Sequence, residues 1–351
     1  MRFVFLDVAR AAVMAILIFD HGMIAMGVVR VVPDPIKFLC FAATPAFVIH
    51  FGVMLELVYV RRRAAQGAAL VRNAFLKRAA QCYLGYVLVL AAGYLSGRMP
   101  TRHFPGSLIF LGTPWFSDIL KFYCLFLLGA PLLLALRARF GVWATAAALV
   151  APWLLSPLLP SVSWPRPTSA LAAWTGLLFG MPTAYPAALC LMKGMLFIAA
   201  GMLMGNALAQ GKHFGRIAAA LFVLGAAAFT WMGFAMGWDS MMPALMSRKL
   251  RLASHPAYYA FALAEGTLLF AILYRLVPST TSAEARATPY TAFARWPLLT
   301  FTLANFIATF FPRIRRPSGW EMFAAVVFMI AIAVGIALWD YRQRARAAAS
   351  A

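Results

Sequence analysis

Residues 3–29 read FVFLDVARAAVMAILIFDHGMIAMGVV. The run is long enough to cross a hydrocarbon core of roughly 30 Å as a helix. It carries Asp7 and Arg10 near its start and Asp20-His21 toward its end, and Ala11–Phe19 between them is wholly apolar. A helix advances about 1.5 Å and 100° per residue, so Arg10 and His21 share a face and stand about 16 Å apart. Ionisable side chains at that depth cost a few kcal/mol each and usually serve a pathway or a site. The run is too long for a signal peptide and has Asp-His inside it, so it reads as a retained helix.

Working outward, apolar stretches of similar length recur along the chain. Of its 351 residues 64% are hydrophobic, and the mean hydropathy is +0.82. That excludes a soluble domain and predicts an all-α polytopic membrane protein, a single integral-membrane unit over 1–351. About ten spans are expected, near 3–29, 36–60, 76–96, 117–136, 141–159, 186–209, 215–237, 256–277, 296–312 and 319–340. The apolar segment 169–183 is short and interrupted by glycine and proline, the pattern of a re-entrant or interfacial piece. Ten spans put both termini on one side, and the distribution of Lys and Arg favours the cytoplasm for both. Arg248, Lys249, Arg251, Arg313, Arg315 and Arg316 run against that rule.

The formal charge of +21 would suggest nucleic acid in a soluble protein. Here most basic residues lie in short connections between apolar runs, where topology and anionic lipid are the expected causes, and no nucleic acid is expected. A basic entrance also suits an anionic cosubstrate such as a coenzyme A ester. Cys40, Cys82, Cys124 and Cys190 all sit in apolar runs without CxxC spacing, as buried small hydrophobes.

Several constellations carry chemistry. A neutral imidazole at His21 can take a proton from a hydroxyl, and a carboxylate such as Asp20 can tune it. Adjacent helix residues point about 100° apart, so Asp20 need not be the group that holds His21. The basic approach to the third span, Arg72 to Lys77-Arg78, offers guanidinium forks suited to phosphate, or plain anchoring. His50 reads as packing, and Glu56 as an edge residue beside Arg61. In the run Trp115 to Tyr123, Asp118 and Lys121 form an i,i+3 pair with Ser117 as a helix cap, and the stretch is placed to shape an acceptor site. Trp115, Trp164, Trp174 and Trp238 suit stacking on sugar faces or an interfacial aromatic belt. Lys193 and Glu265 lie inside apolar spans and are expected to neutralise each other. No HExxH, GxSxG, Walker A or glycine-rich phosphate loop is present in context, so no metal is expected.

Leu6-Asp7-Val8-Ala9-Arg10, ten residues, then His21 resembles the R-x10-H signature of the acyltransferase-three superfamily of membrane acyltransferases. Within it, Phe19-Asp20-His21, the run PAFVIHFG (45–52) and above all FSDILKFYCLFLLGAPLLL (116–134) resemble the OpgC-type proteins, which succinylate osmoregulated periplasmic glucans. The resemblance is clearest over 6–140. It implies a ten-helix fold, an acyl-CoA donor (succinyl-CoA or acetyl-CoA) reached from the cytoplasm, and an acceptor glycan hydroxyl on the far side of a bacterial inner membrane. It gives His21 the catalytic role, Arg10 the donor side and Arg78 the first arginine of the third-helix motif. The chemistry of the residues themselves adds Asp20 beside His21, Arg72 on the donor side and Asp118, Tyr123 and Trp115 toward the acceptor, with no cofactor permanently bound. Gln81 replaces the second arginine of the family's third-helix motif, Ala11 stands where glycine is common, and Asn305 replaces a His or Gln of a late-helix motif. The rival expectation is a transporter or flippase with Asp20, His21, Lys193 and Glu265 as a relay.

Overall fold

The fold is known from a computed structural model that describes residues 3–111, 116–155, 170–180, 190–277, 289–314 and 319–349. Among these residues the regular structure is helical throughout, with no strand. In lipid a helix satisfies every backbone polar group within one segment, which is why apolar runs of this length adopt it.

Helix α1 is Val4–Met26, ended by Gly27 at φ 80. The amides of Gly27 and Val28 turn back onto the carbonyls of Ile24 and Met23, closing the last turn. Helix α2 (Asp34–Met54) widens into a π-type turn over Leu55–Val60 and continues as α3 (Arg61–Gln66). Gly67 breaks the chain before α4 (Ala68–Leu95). Then follow α5 (Phe104–Leu108), α6 (Asp118–Leu154), α7 (Ala170–Phe179), α8 (Leu191–Ala209) and α9 (Phe214–Met236). The chain finishes with α10 (Trp238–Met246), α11 (Lys249–Leu252), α12 (Pro256–Leu276), α13 (Pro289–Arg295), α14 (Pro297–Ala308) and α15 (Trp320–Ala349).

Seven helices among the described residues are long and apolar enough to cross a membrane. The expected ten differ from these for physical reasons. The first half of α4 carries Arg72, Lys77 and Arg78, which dilutes its hydropathy. The 37-residue α6 is two helices joined at Gly141, at φ 80 and ψ 171, close to the expected boundary between spans 117–136 and 141–159. Helix α14 has 12 residues, about 18 Å of rise, which is too short to cross alone. The segment expected to be re-entrant contributes the ten-residue α7.

Helix α1 packs against α2, α12, α13, α14 and α15, with Phe5, Ala9, Val13, Met14, Leu17 and Ile18 buried. It runs antiparallel to α15: Ala325 and Phe328 lie against Gly22, near one end, while Asp340 lies at the other, beside Arg295. Thus α1 begins and α15 ends at the same end of the bundle, called here the N-terminal end. The tightest seam joins α2 to α8. A Cβ on Gly52 would fall onto the Ile198 carbonyl, and one on Gly201 onto the Ile49 carbonyl. Only glycine lets these backbones meet.

Candidate functional site

His21 points into the bundle. Its Nδ1 lies 2.5 Å from Oδ1 of Asn305 on α14. Asn305 is buried, and its amide nitrogen donates to the Phe301 carbonyl at 2.8 Å. That second bond fixes which way the Asn305 amide faces, leaving its oxygen toward the imidazole. An amide oxygen only accepts, so Nδ1 of His21 carries a proton, and in the neutral ring the lone pair is then on Nε2. The ring is stacked on Phe116, centroids 5.0 Å apart, and meets Phe301 edge-on at 5.6 Å. Phe116 reaches this position from the turn before α6, with backbone φ 55.

Toward the N-terminal end, Phe301 also forms part of the wall of a cavity of about 270 Å³. Arg10, Arg78, Arg295, Tyr123 and Cys82 line it together with Phe47, Phe51 and Leu298. The imidazole and the guanidinium-lined space are therefore separated by the ring of Phe301. Arg10 is held firmly there. Its Nε and Nη2 lie 3.0 and 2.6 Å from Nε2 of His50, and its Nη1 donates to the Ala294 carbonyl at 2.7 Å. A guanidinium only donates, so Nε2 of His50 is the unprotonated nitrogen. Arg295 shares the carboxylate of Asp340, at 3.0 Å, with Arg344 at 2.8 Å. Three guanidinium groups thus line the cavity in a largely apolar setting, where charge is weakly screened.

On the far side of His21 the charges alternate. Arg248 donates to Asp20 at 2.6 Å and lies over the Phe41 ring. Arg251 stands within electrostatic reach of Asp118 and Asp20 and of the phenols of Tyr258 and Tyr259. Asp118 pairs with the fully buried Lys121 at 3.2 Å. Arg248, one of the basic residues that runs against the charge rule on the expected topology, is therefore paired with Asp20.

The residues singled out from the sequence divide as follows. Arg10, Arg78 and Tyr123 share the cavity, and His21 and Asp20 lie beyond Phe301. Asp118 sits with Phe116 at the start of α6. Arg72 is elsewhere, in a cleft with Arg63. Trp115 and Trp164 lie outside the described residues. Ser117 occupies the cap position of α6 but makes no capping bond, and its buried hydroxyl lacks a hydrogen-bond partner among the described residues. Lys193 donates to the Ser254 carbonyl at 2.7 Å rather than to Glu265. Glu56 pairs with Arg137 at 2.6 Å, not with Arg61.

Phe301 and Arg295 are members that sequence reasoning does not single out; it reads His50 as packing and notes Asn305 only as a departure from a late-helix motif, although each is a polar residue in an apolar span. Among the described residues no group of three or more His, Cys, Asp and Glu could hold a metal.

Fold and site together define a polytopic helical membrane protein with a tautomerically fixed imidazole beside a cationic internal cavity. No family model matches the chain, and no curated protein matches it.

Proposed function

We propose that the protein is a membrane-embedded O-acyltransferase that moves an acyl group, succinyl or acetyl, from acyl-CoA to a hydroxyl of a glycan. The observation that carries this reading is the contact of His21 Nδ1 with Asn305 Oδ1, which in the neutral ring leaves Nε2 as the proton acceptor, close to a cavity lined by Arg10, Arg78 and Arg295. In this reading the cavity takes the donor from the N-terminal end, which faces the cytoplasm of a bacterial inner membrane. The acceptor hydroxyl approaches from the far side, past Phe116 and Asp118.

Nε2 of His21 takes the proton of the hydroxyl as its oxygen attacks the thioester carbonyl. The C–S bond then breaks, and the leaving sulfur receives the proton from the imidazolium, giving an ester and free coenzyme A. Arg10, braced by His50, and Arg78 hold the anionic parts of the donor. The resemblance of 6–140 to the acyltransferase-three superfamily supports the same assignment. A carrier using Asp20, His21, Lys193 and Glu265 as a relay has less support. Asp20 is engaged by Arg248 and Lys193 by a backbone carbonyl, so the four do not form a chain.

The test is coenzyme A release by the purified protein in detergent, with succinyl-CoA and acetyl-CoA compared and a glucan acceptor added. Acceptor-dependent release that His21→Ala reduces by about 10²-fold or more is expected. Equal release by His21→Ala, or solute movement in vesicles with no coenzyme A formed, would overturn the reading.

A further inference from the structure

At the N-terminal end a second cleft, of about 300 Å³, opens between the start of α4 and the middle of α6. Its walls are Arg63 and Arg72 on the cationic side, Ala68 and Ala69 at the first turn of α4, and Pro131 and Leu134 of α6. The proposed chemistry uses none of them. The Nη1 atom of Arg63 is buried there without a hydrogen-bond partner among the described residues. A guanidinium nitrogen taken from water and left unpaired costs free energy that an anion would recover. The first-turn amides of α4 add to the field, because Gly67 at the cap has no side chain to accept from them. Beside the cleft, Leu70 and Leu132 are 60% and 64% exposed. On a helical membrane protein such leucines face acyl chains.

We infer that this cleft is a binding site for the phosphate of an anionic membrane phospholipid, held by Arg63 and Arg72, with its acyl chains lying over Leu70 and Leu132. The chemistry is specific in two respects. The cations recognise phosphate, and the apolar flank recognises what is attached to it. A zwitterionic lipid brings its own cation to the arginines and loses most of the attraction. A soluble phosphate lacks the chains.

Native mass spectrometry of the full-length protein in detergent tests this, titrating phosphatidylglycerol, phosphatidylcholine and, separately, inorganic phosphate and coenzyme A. The expected result is one saturable phosphatidylglycerol site. Its affinity falls about tenfold or more in the Arg63→Ala/Arg72→Ala variant. It stays unchanged in Arg342→Ala/Arg346→Ala, which removes the same charge from α15 at the same end. Ala69→Leu, which fills the cleft and keeps both cations, should lose the site as well and covers the case in which the double arginine variant fails to fold. The proposal is overturned if the α15 variant loses lipid equally, if phosphatidylcholine binds as tightly, or if coenzyme A or phosphate competes fully for the site. Each readout is independent of acyl transfer, so failure here leaves the proposed reaction standing, and the reverse.

Discussion

Nδ1 of His21 and Oδ1 of Asn305 are 2.5 Å apart although 284 positions separate them in the chain. Helices α1 and α14 must therefore be packed for the imidazole to hold one tautomer. Loss of that oxygen frees the ring to rotate and exchange tautomers, so Asn305→Leu should lower kcat by about 10–100-fold, the scale typical of groups that orient a working imidazole. Asn305→Asp, which keeps an acceptor at the same place, should retain most activity. Nitrogen-15 NMR of labelled histidine gives a readout that a purely structural role would not move: the His21 signal should leave the Nδ1–H pattern only in the leucine variant. An unaltered pattern there would remove Asn305 from the site.

The same pair shows what a sequence can and cannot disclose. Arg10 and His21 stand out because charge and imidazole are costly inside an apolar run and their spacing sets one face. The helical class is legible for the same reason. Asn305 and His50 are not, since each matters through a partner on a remote helix: His50 looks like packing until Arg10 is found on its Nε2. Asp20 looks like the companion of its neighbour His21, yet the helix turns it away toward Arg248. The spans were legible as recurring apolarity, and the break at Gly141 falls near the boundary the sequence sets between two of them, whereas crossing also requires length, which α14 lacks.

Asp20 and Arg248 make a buried pair at 2.6 Å, with side chains 6% and 19% exposed. Removing one partner strands the other charge away from water, at a cost of about 3 kcal/mol, whereas removing both strands neither. Asp20→Ala and Arg248→Ala should each lower the midpoint of thermal unfolding in detergent, and the double variant should unfold above the worse of the two. Strictly additive losses would mean that the pair does not couple.

Cys82 lines the cavity that holds Arg10, Arg78 and Arg295. With Cys40, Cys124 and Cys190 replaced by alanine, Cys82 becomes a reporter of the local potential. An anionic methanethiosulfonate reagent should modify it several-fold faster than a cationic one, because the guanidinium groups concentrate anions in a poorly screened space. Arg78→Glu should narrow or reverse the preference, and added salt should weaken it. Mass spectrometry of the modified chain follows both rates. Faster reaction with the cationic reagent would contradict a cationic cavity.

The α2–α8 seam makes the sharpest claim about the fold. A Cβ on Gly201 would meet backbone on two sides, the Ile49 carbonyl and the Cα of Gly52 at 2.8 Å. Backbone in a packed helix pair cannot swing aside as a side chain can, so even Gly201→Ala forces the helices apart. The cost should reach or exceed the upper part of the ~1–3 kcal/mol range for overpacking. Gly129 on α6 is the matched control: a Cβ there meets nothing within 4 Å, and Gly129→Ala should be neutral or stabilising by about 0.5–1 kcal/mol from helix propensity alone. Detergent-solubilised yield and unfolding midpoint, measured on both variants, check the contrast. If Gly201→Ala is tolerated as well as Gly129→Ala, the close approach of α2 and α8 does not limit the stability of the bundle.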